Sequence, residues 1–191
     1  MPRVGVLALQ GDVREHTHML EGLGVEVVAV KQPEQLAQLD GLVLPGGEST
    51  AIAHLLITSG VKTALEEAIA NGLSVFGTCA GLILLSTEIL DGRSDQWSFK
   101  ALQASVRRNG YGRQIASFEV PIDVRGIGEV PGVFIRAPKI EKYDNLEVLA
   151  TYDNGDGPHP VLVRSGKIWG CSFHPELTED NRVHQLFVES L

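Results

Sequence analysis

The sequence has little of what builds a secreted or membrane-spanning protein. Only two of its 191 residues are cysteine, Cys79 and Cys171, so disulfides cannot be what holds the fold together. Nowhere do about 18 apolar residues run together, and the apolar stretch from Val4 to Leu9 is too short for a signal peptide. We therefore expect a cytoplasmic protein with no membrane segment and with two reduced thiols.

Basic residues are also scarce. The chain has 16 Lys and Arg against 24 Asp and Glu, which gives a formal net charge of −8. Its longest basic run is Arg107-Arg108, so a phosphate backbone would be a poor partner and nucleic-acid binding is not expected. What the chain does have is 43% hydrophobic residues. At this length and composition we expect one globular domain over residues 1–191 with a single core.

Strand-like and helical segments alternate through the first half of the chain, which predicts parallel strands joined by crossover helices. The predicted strands are 3–9, 25–30, 41–47 (stopping at Pro45) and 74–77, and the predicted helices are 13–24, 49–57, 61–72 and one from Ala80. Ser49 and Thr50 are the expected N-cap residues of the helix over 49–57. The fold class that follows is α/β, an open mixed sheet flanked by helices.

After about residue 98 the pattern changes to strand-like runs broken by glycine and proline. These runs are 118–124, 132–138, 146–152, 159–166 and 167–173, and we expect them to extend the same sheet as antiparallel or mixed strands. The chain should close with a helix over 178–191, with Thr178 as its N-cap.

A cysteine between two glycines is the first sign of chemistry. In Gly77-Thr78-Cys79-Ala80-Gly81 a sulfur fills the nucleophile position of a G-x-S-x-G elbow, between a predicted strand and a predicted helix. Glycines on both sides allow a sharp turn that exposes the central side chain. The helix N-terminus favours the thiolate form of Cys79. From the pattern alone, a buried structural cysteine beside packing glycines is the alternative.

A thiolate nucleophile needs a base and a group that orients the base. The segment "CSFHPE" (171–176) supplies both, since side chains alternate along an extended chain and His174 and Glu176 then share one side. Cys171 would point the other way, into the core, which leaves Cys79 as the chemical thiol. A turn with a solvated histidine is the alternative interpretation of this segment.

A third segment, "LPGGEST" (44–50), ends a predicted strand in Pro-Gly-Gly. Backbone N–H groups there are not covered by side chains, which suits an oxyanion that forms from a carbonyl substrate. Taken alone, Pro-Gly-Gly is also an ordinary turn. The remaining histidines show no such pattern: His16 and His18 point in different directions on a helix, so no metal pair is expected, while His54 and His184 fit helix faces.

With these three segments in this order, the chain resembles the class I (triad) glutamine amidotransferases, whose fold is an open α/β sheet of flavodoxin-like architecture. Within them it is most similar to the glutaminase subunits of pyridoxal 5'-phosphate synthases. The resemblance spans nearly the whole chain and is carried by "GVLALQGDVREH", "LPGGEST", "FGTCAGLILL", "RRNGYGRQ", "GVFIRAP" and "GCSFHPELTED".

The resemblance implies that Cys79, His174 and Glu176 form a catalytic triad that hydrolyses L-glutamine to L-glutamate and ammonia. A partner synthase subunit would take the ammonia and build pyridoxal 5'-phosphate, with no metal or cofactor on this chain. It also assigns glutamine contacts, an oxyanion hole and a partner contact. The residues in contact with glutamine would be Gly46, Gly47, Glu48, Arg108, Ile135 and Arg136. The oxyanion donors would be the N–H groups of Gly47 and Ala80. Gln10 would lie near the partner interface.

Three other functions share some of these features. A glutaminase that serves another synthase, for example in histidine or purine biosynthesis, has the same triad and a different partner surface. A cysteine hydrolase or thiol-stress protein has the elbow and the sheet but does not need His174-Pro175-Glu176 or prefer glutamine. A catalytically silent docking subunit needs no triad at all.

Overall fold

The computed structural model describes residues 1–111 and 117–191. The helices are α1 (Val13–Glu21), α2 (Ser49–Thr58), α3 (Val61–Ala70), α4 (Ala80–Leu85) and α5 (Arg182–Glu189), with 3₁₀ turns at Pro33–Leu36 and Pro175–Leu177. None of the described helices has both the length and the apolarity needed to cross a membrane. The strands are β1 (Arg3–Leu7), β2 (Glu26–Val30), β3 (Gly41–Leu44), β4 (Ser74–Thr78), β5 (Ser86–Ile89), β6 (Leu102–Arg107), β7 (Ser117–Val124), β8 (Gly128–Ile135), β9 (Lys139–Tyr143), β10 (Glu147–Asp153), β11 (Pro158–Ser165) and β12 (Ile168–Cys171).

The main sheet has seven strands in the order β10-β11-β12-β4-β3-β1-β2. The strands from β12 to β2 are parallel, and β11 and β10 continue the sheet antiparallel. Parallel strands bring their carboxyl ends to one edge, and in open α/β sheets ligands bind at that edge. The segments that follow β3, β4 and β12 therefore meet at this edge. These are the three segments in which the sequence predicts catalytic or substrate-binding residues.

Apolar side chains cover both faces of this sheet. Along β3, Leu42 and Leu44 join a buried cluster with α2, α3 and α4, while Val43 joins a second cluster with α1 and α5. Alternation of this kind, with both sides apolar, is what a central parallel strand requires. The α/β class with a mixed sheet and flanking helices is confirmed.

The expectation that every later strand extends the main sheet was wrong. The runs at 146–152, 159–166 and 167–173 do so as β10, β11 and β12, but those at 118–124 and 132–138 form β7 and β8, which pair only with each other among the described residues. Pro121 lies opposite Pro131 in this ribbon. Since proline has no N–H to donate, it fits strands with an open edge, and each strand of a two-stranded ribbon has one.

A three-stranded sheet of order β5-β6-β9 was not predicted at all. A signal for β6 was present, because Leu102, Ala104 and Val106 are buried and alternate with more exposed residues. This period of two is typical of a half-buried strand. β5 begins at the residue after α4 ends, and no turn residue separates the two elements in the sequence.

One predicted N-cap and one predicted helix start were also wrong. Glu48, not Ser49 or Thr50, is the N-cap of α2, and its carboxylate accepts hydrogen bonds from the N–H groups of Thr50 and Ala51 at 3.2 and 2.8 Å. The last helix begins at Arg182 rather than at 178. There, the Thr178 hydroxyl accepts from the Asp180 N–H at 3.1 Å and closes a local turn instead of capping a helix.

Candidate active site

Cys79 occupies a sharp turn between β4 and α4. Its backbone angles are φ 49° and ψ −104°, in a region that non-glycine residues rarely adopt. A Cβ on Gly77 would lie 2.5 Å from the carbonyl carbon of Gly81, and a Cβ on Gly81 would lie 2.2 Å from the Leu44 oxygen. Only glycine fits at both positions. The two glycines therefore permit the sharp turn that directs the sulfur toward the edge of the sheet.

His174 and Glu176 follow the strand next to the elbow. β12 pairs with β4 so that Cys171 lies opposite Thr78, and the chain beyond β12 then runs beside Cys79. His174 Nδ1 lies 2.7 Å from Glu176 Oε1. Both side chains are buried, and His174 Nε2 has no hydrogen-bond partner among the described residues. That nitrogen is therefore available to a reacting group.

The surroundings of His174 favour its charged form. Burial lowers the pKa of the ring, but the Asp12 carboxylate, the Cys79 thiol and the Glu176 carboxylate outweigh burial and raise the pKa to about 12. Asp12 Oδ2 is 3.4 Å from Nδ1, so the ring has a second carboxylate beside the first. Burial raises the pKa of Glu176. A protonated His174 next to a thiol can stabilise the thiolate and later donate a proton.

The Pro-Gly-Gly segment after β3 packs against the histidine. A Cβ on Gly46 would lie 2.5 Å from His174 Cε1, so glycine is needed for this approach. The Asp12 N–H donates to the Gly46 oxygen at 3.0 Å, and Gln10 Oε1 accepts from the Glu48 N–H at 3.0 Å. Gln10, for which the family resemblance implies a partner contact, therefore also holds the segment that carries the predicted oxyanion donor Gly47.

One cleft of about 520 Å³ contains most of the predicted site. Its lining residues are Asp12, Gly47, Glu48, Ser49, Cys79, Ile83, Arg108, Asn109, Ile135, Arg136, His174 and Leu177. Four of the predicted site residues do not line the cleft: Gly46, Ala80, Gln10 and Glu176. Gly46 lies against His174, and Glu176 lies behind the imidazole ring. Asp12 also lines the cleft, and its own segment carried no signal for a place beside His174.

Charges in the cleft suit an amino acid. Arg108 Nη2 lies 3.3 Å from Glu48 Oε1, so a cation and an anion stand side by side in the cleft. Arg136 has φ 43°, a strained conformation for a non-glycine residue, which points to a constrained role. The end of the "RRNGYGRQ" motif, Gly112 to Gln114, lies outside the described residues.

Asp12, His174 and Glu176 also bring three possible metal-ligand atoms within 4.8 Å of one another, the one such group among the described residues. The His174 and Glu176 atoms already bond to each other at 2.7 Å. A cation at this point would take away the group that orients the imidazole. The existing His174–Glu176 hydrogen bond therefore argues against a metal ion at this group.

Two histidines that the sequence places on ordinary helix faces are buried behind the triad. His16 on α1 and His184 on α5 are both fully buried, with His16 Nδ1 2.9 Å from His184 Nε2. His16 Nε2 lies 3.0 Å from the Thr78 hydroxyl. Burial lowers the pKa of His184 from 6.5 to about 3, and burial together with the nearby histidines lowers the pKa of His16. Both rings are therefore neutral at pH 7.

Acid should destabilise the fold through His184. The imidazole of His184 takes up a proton below about pH 6.5 in the unfolded chain but only below about pH 3 in the folded chain. The stability of the fold is therefore not reduced by this group above pH 6.5, and it falls as the pH falls toward 3. We expect the free energy of unfolding to drop by about 2 kcal/mol between pH 6.5 and 4.5 from this group. Urea unfolding across that range measures it.

His184→Gln should flatten this pH dependence, because glutamine cannot take up the proton. The matched control is His54→Gln, since His54 is exposed on α2 and should leave the wild-type slope unchanged. Equal slopes for His184→Gln and the wild type would contradict the prediction.

Comparisons with known proteins agree on one family. The model of the SNO glutamine amidotransferase family matches residues 6–191. Among curated relatives, the pyridoxal 5'-phosphate synthase subunit PdxT of Thermotoga maritima is 50% identical, covering 98% of each chain. The protein of that name from Mycobacteroides abscessus is 50% identical, covering 98% of this chain and 96% of the relative.

Solved structures extend the comparison to the fold. A crystal structure of a glutamine amidotransferase, 47% identical, superposes with a TM-score of 0.91 and covers 98% of this chain and 97% of its own. The structure of PurLQS from Thermotoga maritima, at 18% identity and a TM-score of 0.72, covers 98% of each chain and shares the fold. With a family model matched from residue 6 to the last residue and relatives at half identity over almost the full length, the chain belongs to the SNO glutamine amidotransferase family.

Proposed function

We propose that this chain is the glutaminase subunit of a pyridoxal 5'-phosphate synthase. It hydrolyses L-glutamine to L-glutamate and ammonia and delivers the ammonia to the synthase subunit. One observation carries the chemistry: Cys79 and His174 line the same cleft, and Glu176 holds the imidazole from behind at 2.7 Å. The assignment to a pyridoxal 5'-phosphate synthase, and not to another synthase, is based on the curated relatives at about 50% identity.

Glutamine would bind with its side-chain amide at Cys79 and its charged end toward Arg108 and Glu48. The guanidinium suits the α-carboxylate of the substrate, and the Glu48 carboxylate suits its α-ammonium group. Ile135 and Arg136 complete the wall of the cleft. Gly46 lies against His174, where a side chain would displace the imidazole.

The reaction begins when the Cys79 thiolate attacks the amide carbon of the glutamine side chain. The carbonyl oxygen becomes an oxyanion, for which the N–H groups of Gly47 and Ala80 are the proposed donors. His174 Nε2 then gives its proton to the amide nitrogen as the C–N bond breaks, since ammonia leaves easily and an amide anion does not. Ammonia departs, and a glutamyl thioester remains on Cys79.

Water completes the cycle. Once sulfur is bound in the thioester, one of the groups that favoured the charged ring is gone, and neutral His174 can accept a proton from water as it attacks. The tetrahedral intermediate collapses, the C–S bond breaks, and glutamate leaves. Glu176 keeps Nδ1–H pointed at its own oxygen throughout and stabilises the imidazolium each time it forms. Every step uses groups of the chain, glutamine and water.

A cytoplasmic location is part of the proposal, because the mechanism needs Cys79 as a free thiol. Cys79 and Cys171 are both unpaired, as expected in a reducing compartment. Organisation as a single domain over residues 1–191 is likewise proposed, with the three segments of the site drawn from one seven-stranded sheet.

A glutaminase assay with and without the synthase subunit tests this function. We expect the free chain to release ammonia slowly and the synthase subunit to raise the rate at least tenfold, because uncoupled hydrolysis wastes glutamine. A synthase from purine or histidine biosynthesis is the matched control and should leave the rate unchanged. A chain that is fully active alone would contradict the activation, and stimulation by the control synthase would contradict the assigned partner.

A further inference from the structure

The Glu176 carboxylate has an imidazole ring on each of two sides. On one side His174 Nδ1 lies 2.7 Å from Oε1, and on the other His16 Nε2 lies 3.5 Å from the same oxygen. Both the His16 and Glu176 side chains are completely buried. The other carboxylate oxygen, Oε2, has no hydrogen-bond partner among the described residues. One side-chain hydrogen bond, from His174, and one longer contact, with His16, therefore face this carboxylate.

The hydrogen bonds favour one tautomer of His16. If its Nε2 carries the proton, it donates to the Thr78 hydroxyl and faces the negative carboxylate, while Nδ1 accepts from His184 Nε2–H. His184 Nδ1 has no partner among the described residues, and in this tautomer it carries a lone pair and no proton. In the opposite tautomer His184 Nδ1 would be a buried N–H without an acceptor, which is rarer and costs more.

These groups tie separate elements to the triad. His16 comes from α1, His184 from α5, and Thr78 is the residue directly before Cys79. His16 thus contacts both the start of the elbow and the carboxylate that orients the base. A buried polar pair is costly unless it is fully bonded, and an apolar pair could fill the same space. The catalytic mechanism described above makes no use of either ring.

We propose that His16 is a positioning residue for the triad, held in its Nε2–H tautomer by His184, and that it keeps the Glu176 carboxylate aimed at His174. This inference rests on the proposed glutaminase function. It gives His16 no contact with glutamine and no part in proton transfer. Its effect should therefore appear in kcat and in the His174–Glu176 hydrogen bond, with little change in KM.

Two substitutions separate positioning from packing. His16→Gln places an amide N–H near the position of the imidazole Nε2–H, whereas His16→Leu fills similar space without a donor. In the presence of the synthase subunit, and at a temperature where circular dichroism shows each variant folded, we expect His16→Leu to lower kcat by about 10- to 100-fold, as loss of an orienting outer contact does elsewhere. His16→Gln should recover most of that loss. If packing alone matters, the two variants should have equal kcat.

Nuclear magnetic resonance adds readouts that do not need glutamine. In the wild-type chain, ¹⁵N shifts should show His16 neutral with its proton on Nε2; a proton on Nδ1 would overturn the proposal even if no variant folds. The low-field His174 Nδ1–H proton should be sharp in the wild type and in His16→Gln and shifted or broadened in His16→Leu. Wild-type kcat in His16→Leu would also overturn it. If instead the wild type with its synthase releases no ammonia, the proposed function fails, and the shifts still test the contact.

Discussion

Cys79→Ala should abolish glutamine hydrolysis and leave the fold intact. We expect the rate with the synthase subunit to fall by about 10⁴- to 10⁶-fold, since loss of the nucleophile of a serine protease costs about 10⁶-fold. Alanine retains the Cβ in the strained turn, and the glycines at 77 and 81 still permit that turn. Ammonia release measures the activity, circular dichroism the fold, and co-purification the binding of the synthase subunit. Retained hydrolysis in this variant would refute the proposed mechanism.

Cys171→Ala is the matched control for this experiment. Cys171 is the other free thiol, fully buried in β12, and burial raises its pKa well above the usual value. Its removal leaves a small cavity in the core, so it should cost stability, on the order of 1 kcal/mol. It should not change kcat. If both variants lost activity, the loss in Cys79→Ala could be due to disturbed packing at the sheet edge, and it would not identify Cys79 as the nucleophile.

Glu176→Gln should have the second largest effect. The amide occupies the same buried space, but its NH₂ group can face His174 Nδ1 in place of an acceptor. The ring then loses the partner that holds it at 2.7 Å and can turn or change tautomer. By comparison with the equivalent change in serine proteases, we expect kcat to fall by about 10³- to 10⁴-fold with a much smaller change in KM.

Glu179→Gln provides the control for this variant. Glu179 is exposed, in the turn that precedes α5, so it undergoes the same chemical change away from the triad. It should retain wild-type kcat and stability. A Glu176→Gln enzyme within tenfold of the wild type would show that the carboxylate is not needed to orient His174. The same result would remove the basis for the role of His16.

Local patterns predicted the central part of the fold well. The parallel strands and their helices follow from apolar runs bounded by glycine and proline, since a strand buried on both faces has to be apolar throughout. Helix caps were less predictable, as at α2, where a glutamate caps the helix in place of Ser49. The pairing of β7 with β8 and the sheet of β5, β6 and β9 depend on contacts between distant segments, and those leave only weak local signals.

The candidate site divides in the same way. Cys79, His174 and Glu176 stood out because their neighbours in sequence constrain their backbone or spacing. Asp12 stands beside His174 at 3.4 Å, yet nothing in its own segment points to a histidine far along the chain. His16 and His184 looked like ordinary helix residues, and each becomes unusual only because two helices bury the pair behind the elbow.

By itself, the sequence determined the α/β class, the proposed nucleophile and base, and the glycines without which the elbow could not turn. These are properties of short segments, in which residue size, charge and spacing act directly on the local backbone. The tertiary structure decided which groups share a cleft, which carboxylates stand beside His174, and which histidines stay neutral in the interior. The reason is physical: burial and contact between residues distant in sequence set the pKa and orientation of a side chain, and both exist only once α1, β4, β12 and α5 have packed together.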